Sequence, residues 1–338
     1  MKALPILAGS AGMVFVGGSV AVSGHLADAP MHTVQALRYA VACLLLLLWA
    51  HLTRGATTPR VADPPPPGAH AGRPPGFGPR AGRTPLLMPR GGEWLWLLGV
   101  TVTGLVIFNV ALVQGSRHAE PAVIGVAVAC VPILLAVAGP LLEGRRPAAR
   151  VLTAASVVTV GAMLVQGLGR TDAAGLLWAA VTFACEAAFT LLAVPVLGRH
   201  GPLGVSVHAT WMGAAMFAVI GVLTEGPSAV TRIRPDDLLA GAYLAVLVTA
   251  VAFLLWYTCV ARIGAGRAGL LTGIAPIAAA ATGVALGGPF PAPAVWFGIA
   301  TVAVGLALGL STPTPAAHPP SPTRRPSPTP AIPADARP

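Results

Sequence analysis

The chain has 338 residues, of which 55% are hydrophobic and only 9% are charged. A soluble globular domain carries roughly 25% charged residues, and a disordered chain is far less apolar, so both classes are excluded. The formal net charge of +10 would suit a nucleic-acid binder in a soluble protein. Here the basic residues fall mostly between apolar stretches, where they set orientation in a bilayer. The sequence is that of an all-α integral membrane protein, with the lipid bilayer as its solvent and no nucleic-acid partner.

Crossing the hydrocarbon core takes about 20 apolar residues. Stretches of about that length lie near 4–23, 33–52, 94–114, 121–141, 151–168, 174–197, 204–223, 238–260, 267–287 and 293–311. The first follows Lys2 and precedes Ala27-Asp28-Ala29, a signal-peptide pattern, but its apolar run exceeds the roughly 7–15 residues of a signal core. It reads as a mature helix. Placing the N-terminus in the cytoplasm puts sixteen basic residues on inner segments and four (Arg117, Arg170, Arg232 and Arg234) on outer ones. That bias predicts two cytoplasmic termini in a multi-pass protein of the cell membrane. Arg38 alone lies within a span.

Residues 54–92, with Pro64 to Pro67, and residues 312–338, a Pro/Ser/Thr tail, have the composition of disordered cytoplasmic segments. The four cysteines (Cys43, Cys130, Cys185 and Cys259) sit apart inside apolar stretches, which is neither a disulfide framework nor a metal site.

The two halves repeat. With an offset of 144, Pro132-Ile133 meets Pro276-Ile277, Gly139 meets Gly283, Val151 meets Val295 and Val160-Gly161 meets Val304-Gly305. Thirteen of the thirty-three positions from 132 to 164 are identical to their counterparts, and the matched prolines and glycines fix backbone geometry. Five spans per half is an odd number, so the second half must enter the membrane from the opposite side. The expected architecture is ten transmembrane helices as two five-helix inverted-topology repeats.

These residues resemble the drug/metabolite transporter superfamily, with its tandem EamA-type domains. The resemblance lies in His32-Thr33-Val34-Gln35-Ala36-Leu37-Arg38-Tyr39, in Pro132, Gly139 and Leu142-Glu143-Gly144-Arg145-Arg146-Pro147, and in Leu254-Leu255-Trp256-Tyr257 through Arg262-Ile263-Gly264-Ala265-Gly266-Arg267-Ala268 to Pro276. It implies a first EamA-like repeat over 1–168, interrupted by 54–92, and a second over 173–311. It also implies a secondary transporter of a small metabolite or drug-like solute, an exporter by alternating access, as monomer or homodimer. Two features depart from the family pattern: Gly287 stands where the first half keeps Glu143, and the 54–92 loop is long. The alternative is a non-transporting membrane sensor or scaffold that works through its Pro-rich segments.

Glu186 is the only acidic residue in the middle of a span, where a charge costs roughly 2.5–3.5 kcal/mol on insertion scales. Thr182, Glu186 and Thr190 are spaced four apart and form one polar stripe. Glu186 would bind a substrate amine, or be a carboxyl whose proton is exchanged, which would couple transport to protons; otherwise it is a protonated carboxyl tying two helices. Arg38 would meet an anionic group, pair with Glu186, or snorkel to the interface. Asn109 and Gln114 would line a pathway or bond neighbouring helices, and Trp256 and Tyr257 would wall a site or simply pack. His208 and Trp211 read as packing residues, and the four-residue spacings Gly283/Gly287 and Gly305/Gly309 read as helix-contact positions. With no P-loop, His-Glu-x-x-His, Gly-x-Ser-x-Gly or Mg²⁺-type acidic pair, no catalytic residue, metal site or cofactor is expected.

Overall fold

The computed structural model describes residues 3–23, 29–55 and 86–311. The C-terminal tail, Ala27-Asp28 and residues 56–85 of the Pro-rich loop lie outside the described residues. The described residues form ten helical segments: α1 (Ala3–Ser23), α2 (Met31–Gly55), α3 (Glu93–Gly115), α4 (Pro121–Leu142), α5 (Ala149–Gln166), α6 (Ala173–Leu191), α7 (Val194–Thr224), α8 (Pro235–Ile263), α9 (Ala265–Ala285) and α10 (Pro293–Leu310). Nine of them, α2 to α10, are long and apolar enough to cross a membrane. The remaining helix, α1, carries no charged side chain over its 21 residues and packs on α8 and α9.

The boundaries follow local chemistry. Pro121, Pro195, Pro235 and Pro293 stand at helix starts, where the missing N–H costs nothing. Glycines with positive φ follow the ends of five helices, at Gly144, Gly167, Gly226, Gly264 and Gly287, a backbone region that glycine enters without steric cost. One turn differs from expectation. The apolar run 174–197 predicts one span, but α6 stops at Leu191 and α7 starts at Val194, so Arg199 and His200 lie inside a helix rather than in a loop. Apolar residues continue through the Leu192-Ala193 turn, which hydropathy cannot see. A kink at Gly201 (φ 65°), followed by Pro202, then bends α7.

Three interruptions carry positional meaning. Helix α3 widens to a π-helix over Val102–Ile107 and α8 does so over Leu244–Val251, while α9 tightens to 3-10 geometry over Gly269–Gly273. Single π turns inside α-helices often mark functional positions.

Helices α5 and α10 run antiparallel, since Arg150 at the start of α5 donates to Leu308 O (3.0 Å) and Ser311 Oγ (2.9 Å) at the end of α10. Their contact is exchanged by the 144-residue offset. A Cβ on Gly161 would lie 2.7 Å from Val302 N and 2.8 Å from Gly298 O, and one on Gly305 would lie 2.9 Å from Val158 N and 3.1 Å from Ala154 O. Helices α4 and α9 also run antiparallel, with Gly139 against Gly266 and Leu135 against Gly269. The other pairings follow the same exchange: α1 packs on α8 and α9, as α6 packs on α3 and α4.

Two expectations about glycines need correction. Gly305 and Gly309 do sit in helix contacts, whereas added Cβ atoms at Gly283 and Gly287 would meet nothing within 4 Å. Gly287 (φ 90°) is a helix terminator, the geometric counterpart of Gly144 (φ 68°). The residue in the cap position of Glu143 is therefore Leu286 rather than Gly287.

Candidate functional site

Two polar groups lie inside the bundle. The first joins α2, α3 and α8. Gln35 Nε2 donates to Asn109 Oδ1 (2.8 Å), and Asn109 Nδ2 donates to Tyr39 Oη (3.0 Å) and to Leu105 O (2.6 Å). Arg38 Nη1 donates to Gln35 Oε1 (3.2 Å), and Arg38 Nε to Thr249 Oγ1 (2.8 Å). The Arg38 guanidinium carbon lies 5.1 Å from the centre of the Tyr39 ring.

The π segments explain why the network sits here. Leu105 is inside the α3 segment, and Thr249 Oγ1 donates to Leu244 O inside the α8 segment (2.9 Å). Side chains thus return bonds to carbonyls where the regular ladder is disturbed. Arg38 pairs with neutral partners, not with Glu186, and it also lines a cleft of about 240 Å³ between α2 and α8 with Asp237.

The second group lies on α6. Thr182 is buried and donates to Trp178 O of its own helix (2.9 Å), while Thr190 Oγ1 accepts from Trp256 Nε1 of α8 (3.0 Å). Tyr257 Oη donates to Phe189 O (3.2 Å). Glu186, between the two threonines, is half-buried and has no hydrogen bond or ion pair among the described residues. Phe189 separates the two groups: its ring lies against Gly104 of the α3 π segment and against Phe253 and Tyr257 (centroids 4.9 and 5.2 Å).

Gln114 joins neither group. It lies near the end of α3 and accepts from Arg117 Nη1 (3.4 Å). At that end the chain pairs with the α5–α6 loop through His118–Asp172 (3.0 Å) and Arg170–Glu120 (2.8 Å). Arg170 holds the Glu120 carboxyl below its ordinary value. The Gly175 N–H, and then His118, hold Asp172 below its own. Sequence reasoning left out Gln35, Tyr39 and Thr249. Gln35 and Tyr39 were visible as polar groups one helical turn apart, but only the tertiary fold brings Thr249 to Arg38.

Among known proteins, residues 173–311, covering α6 to α10, match the model of the EamA-like transporter family. The second half of the chain is thus similar to an EamA-like domain. The "Uncharacterized transporter YetK" of Bacillus subtilis (strain 168) is 25% identical over 202 residues, spanning 57% of this chain and 61% of its own length. Both likenesses support the resemblance to the drug/metabolite transporter superfamily seen in the sequence. A crystal structure of another protein, 18% identical, superposes with a TM-score of 0.69 over 90% of this chain and 96% of that one. It shares the all-helical fold. The EamA-like domain therefore contributes Glu186, Thr190, Thr249, Trp256 and Tyr257, and the first half contributes Gln35, Arg38, Tyr39 and Asn109.

Proposed function

We propose that the protein is a secondary transporter of a small metabolite or drug-like solute, exporting it by alternating access with a proton exchanged at Glu186. The observation that carries this reading is the unpaired, half-buried carboxyl in the middle of α6, within an EamA-like domain. A carboxyl tying two helices would have a donor or acceptor beside it; Glu186 has none among the described residues. A group that trades a proton for an amine-bearing solute needs this freedom, because each partner must leave before the other binds.

Two five-helix repeats, 1–168 and 173–311, would supply the rocking halves. The antiparallel α4/α9 and α5/α10 pairs, and the exchanged glycine contacts, support that division. The Arg bias supports a cytoplasmic location for the end that carries Glu143, Arg145 and Ser311.

The test is transport in proteoliposomes under an imposed proton gradient, using a panel of cationic and amine-bearing solutes. Glu186→Gln is expected to abolish proton-driven flux while inserting normally, and Glu186→Asp to keep part of it with a shifted pH optimum. Normal proton-driven flux in the Gln variant would remove Glu186 from the coupling step.

A further inference from the structure

His208, in α7, holds two bonds that fix its protonation state. Its Nδ1 accepts from Trp211 Nε1 (3.2 Å), and its Nε2 faces Leu87 O (3.0 Å). An indole N–H can only donate and a carbonyl can only accept. The ring is therefore the neutral Nε2–H tautomer, and a proton on Nδ1 would point at the Trp211 N–H.

Leu87 belongs to a short segment that enters the bundle just before α3. Its neighbour Leu86 packs against the cluster formed by Ala42, Cys43 and Leu46 of α2, Val207 of α7 and Ala250 of α8, and Pro89 is buried. Residues 86–89 thus cover the bundle where α2, α7 and α8 meet, at the end that holds the α3 N-terminus. Met88 alone turns outward (71% exposed).

We propose that His208 is a proton-binding site that latches this segment: neutral His208 keeps residues 86–89 seated, and protonation releases them and opens that mouth of the bundle. The seated ring offers no acceptor for a second proton, and a buried cation there seeks water. The nearby ionisable groups are Cys43 from α2, Glu93 from α3, Arg199 and His200 from α7 itself, and Arg90 from the entering segment. Of these, His200 meets the His208 ring edge-on, with ring centroids 5.5 Å apart. Glu93 is engaged by Arg199, His200 and the Arg90 N–H. The seated state therefore dominates at high pH and is lost as pH falls.

That the released mouth passes solute rests on the transport reading; the latch does not. The test is a nitroxide spin label at Met88→Cys, with Cys43, Cys130, Cys185 and Cys259 replaced by alanine. Its spectrum should be immobilised near about pH 8 and mostly mobile near about pH 5, a range in which imidazole titrates. His208→Gln, whose amide can accept from Trp211 or donate to Leu87 but cannot gain a proton, should stay immobilised throughout. Trp211→Phe removes the opposing N–H and should move the transition to higher pH.

If the cysteine-free chain fails to fold, hydrogen exchange of residues 86–92 in the native chain replaces the label, read against the exposed 286–290 turn at each pH. An unchanged signal across the range, or a response that survives His208→Gln, overturns the latch. A latch that switches while His208→Gln transports with an unaltered pH profile overturns its role as a gate. Absence of flux in every variant, the native chain included, sinks only the transport reading.

Discussion

Gln35 and Asn109 face each other across the α2–α3 contact, side-chain amide to side-chain amide at 2.8 Å. The pair is buried, and it links Arg38 on one side to the Tyr39 hydroxyl on the other. Asn109→Leu would leave the Gln35 amide and the Tyr39 hydroxyl facing hydrocarbon. Interhelical hydrogen bonds in membranes average about 0.6 kcal/mol and reach about 1.7. The variant should lose about 1–2 kcal/mol in a denaturant titration in mixed micelles. Unchanged unfolding would mean that water or lipid replaces the bond without cost.

The exchanged glycine contacts make a paired prediction. Gly161→Ala and Gly305→Ala each push a methyl group toward backbone of the facing helix, the nearest backbone atom less than 3 Å away. Overpacking of this kind costs about 1–3 kcal/mol, and the two variants should lose similar amounts. Gly283→Ala, with nothing within 4 Å of the new atom, should be neutral or slightly stabilising. Thermal unfolding of the three variants in one detergent decides the point.

Glu225, just past the end of α7, accepts from His32 N (2.8 Å), Thr33 N (2.9 Å) and Thr33 Oγ1 (2.7 Å), so it caps α2 from another helix. Burial works to raise its pKa, but these three donors outweigh it and the net shift is downward. Loss of such a cap costs about 1 kcal/mol, and Glu225→Ala should show that deficit at neutral pH. A depressed carboxyl contributes stability above its unfolded pKa and loses it as pH falls through the folded value. The deficit should therefore shrink in acid, and a deficit independent of pH would point to lost packing instead.

The loop pair His118–Asp172 makes a second acid-sensitive contact. Asp172 accepts from Gly175 N (2.8 Å) and starts α6, and its carboxyl is held below its ordinary value. Its contribution is present above about pH 4, the unfolded carboxyl value, and disappears below that. Asp172→Asn keeps the cap and removes the charge. Its melting temperature should fall less steeply between about pH 5 and pH 3 than that of the native chain; equal slopes would exclude Asp172 as a source of acid sensitivity.

Sidedness is testable at described positions. Cysteines replacing Arg145 and Ser311 should react together with an impermeant reagent from the inner side of sealed vesicles, and a cysteine replacing Arg170 from the outer side. Labelling of Arg145→Cys and Arg170→Cys from one side would overturn the ten-crossing arrangement.

Much of the frame was legible because hydropathy reports burial in lipid directly, so each of the ten apolar runs has a helix within it. The Leu192-Ala193 turn was hidden because its residues are as apolar as the helices around it. The π segments in α3 and α8 were hidden too, since one extra residue per turn leaves no mark in composition. Glu186 stood out by its charge. Gln35 and Thr249 did not, because uncharged polar residues gain meaning only from what faces them. His208 was read as packing: its bond from Trp211 is local, but the other reaches Leu87, a residue 121 positions away.

The cap on α9 has a partner on only one side. Glu143, at the end of α4, reaches Ala265 N (3.4 Å) and pairs with Arg145, while its counterpart Leu286 has no group to offer in return. In a carrier whose two facing states are exchanged by the repeat, an interaction present once cannot be shared equally between them. A bias of only about 1.4 kcal/mol makes one state ten times more populated than the other. The two halves need not differ in fold for the molecule to have a resting side. On the proposed transport reading, a single carboxylate at one helix end is enough to set a direction of idling, and Glu143→Leu would make the resting populations more nearly equal.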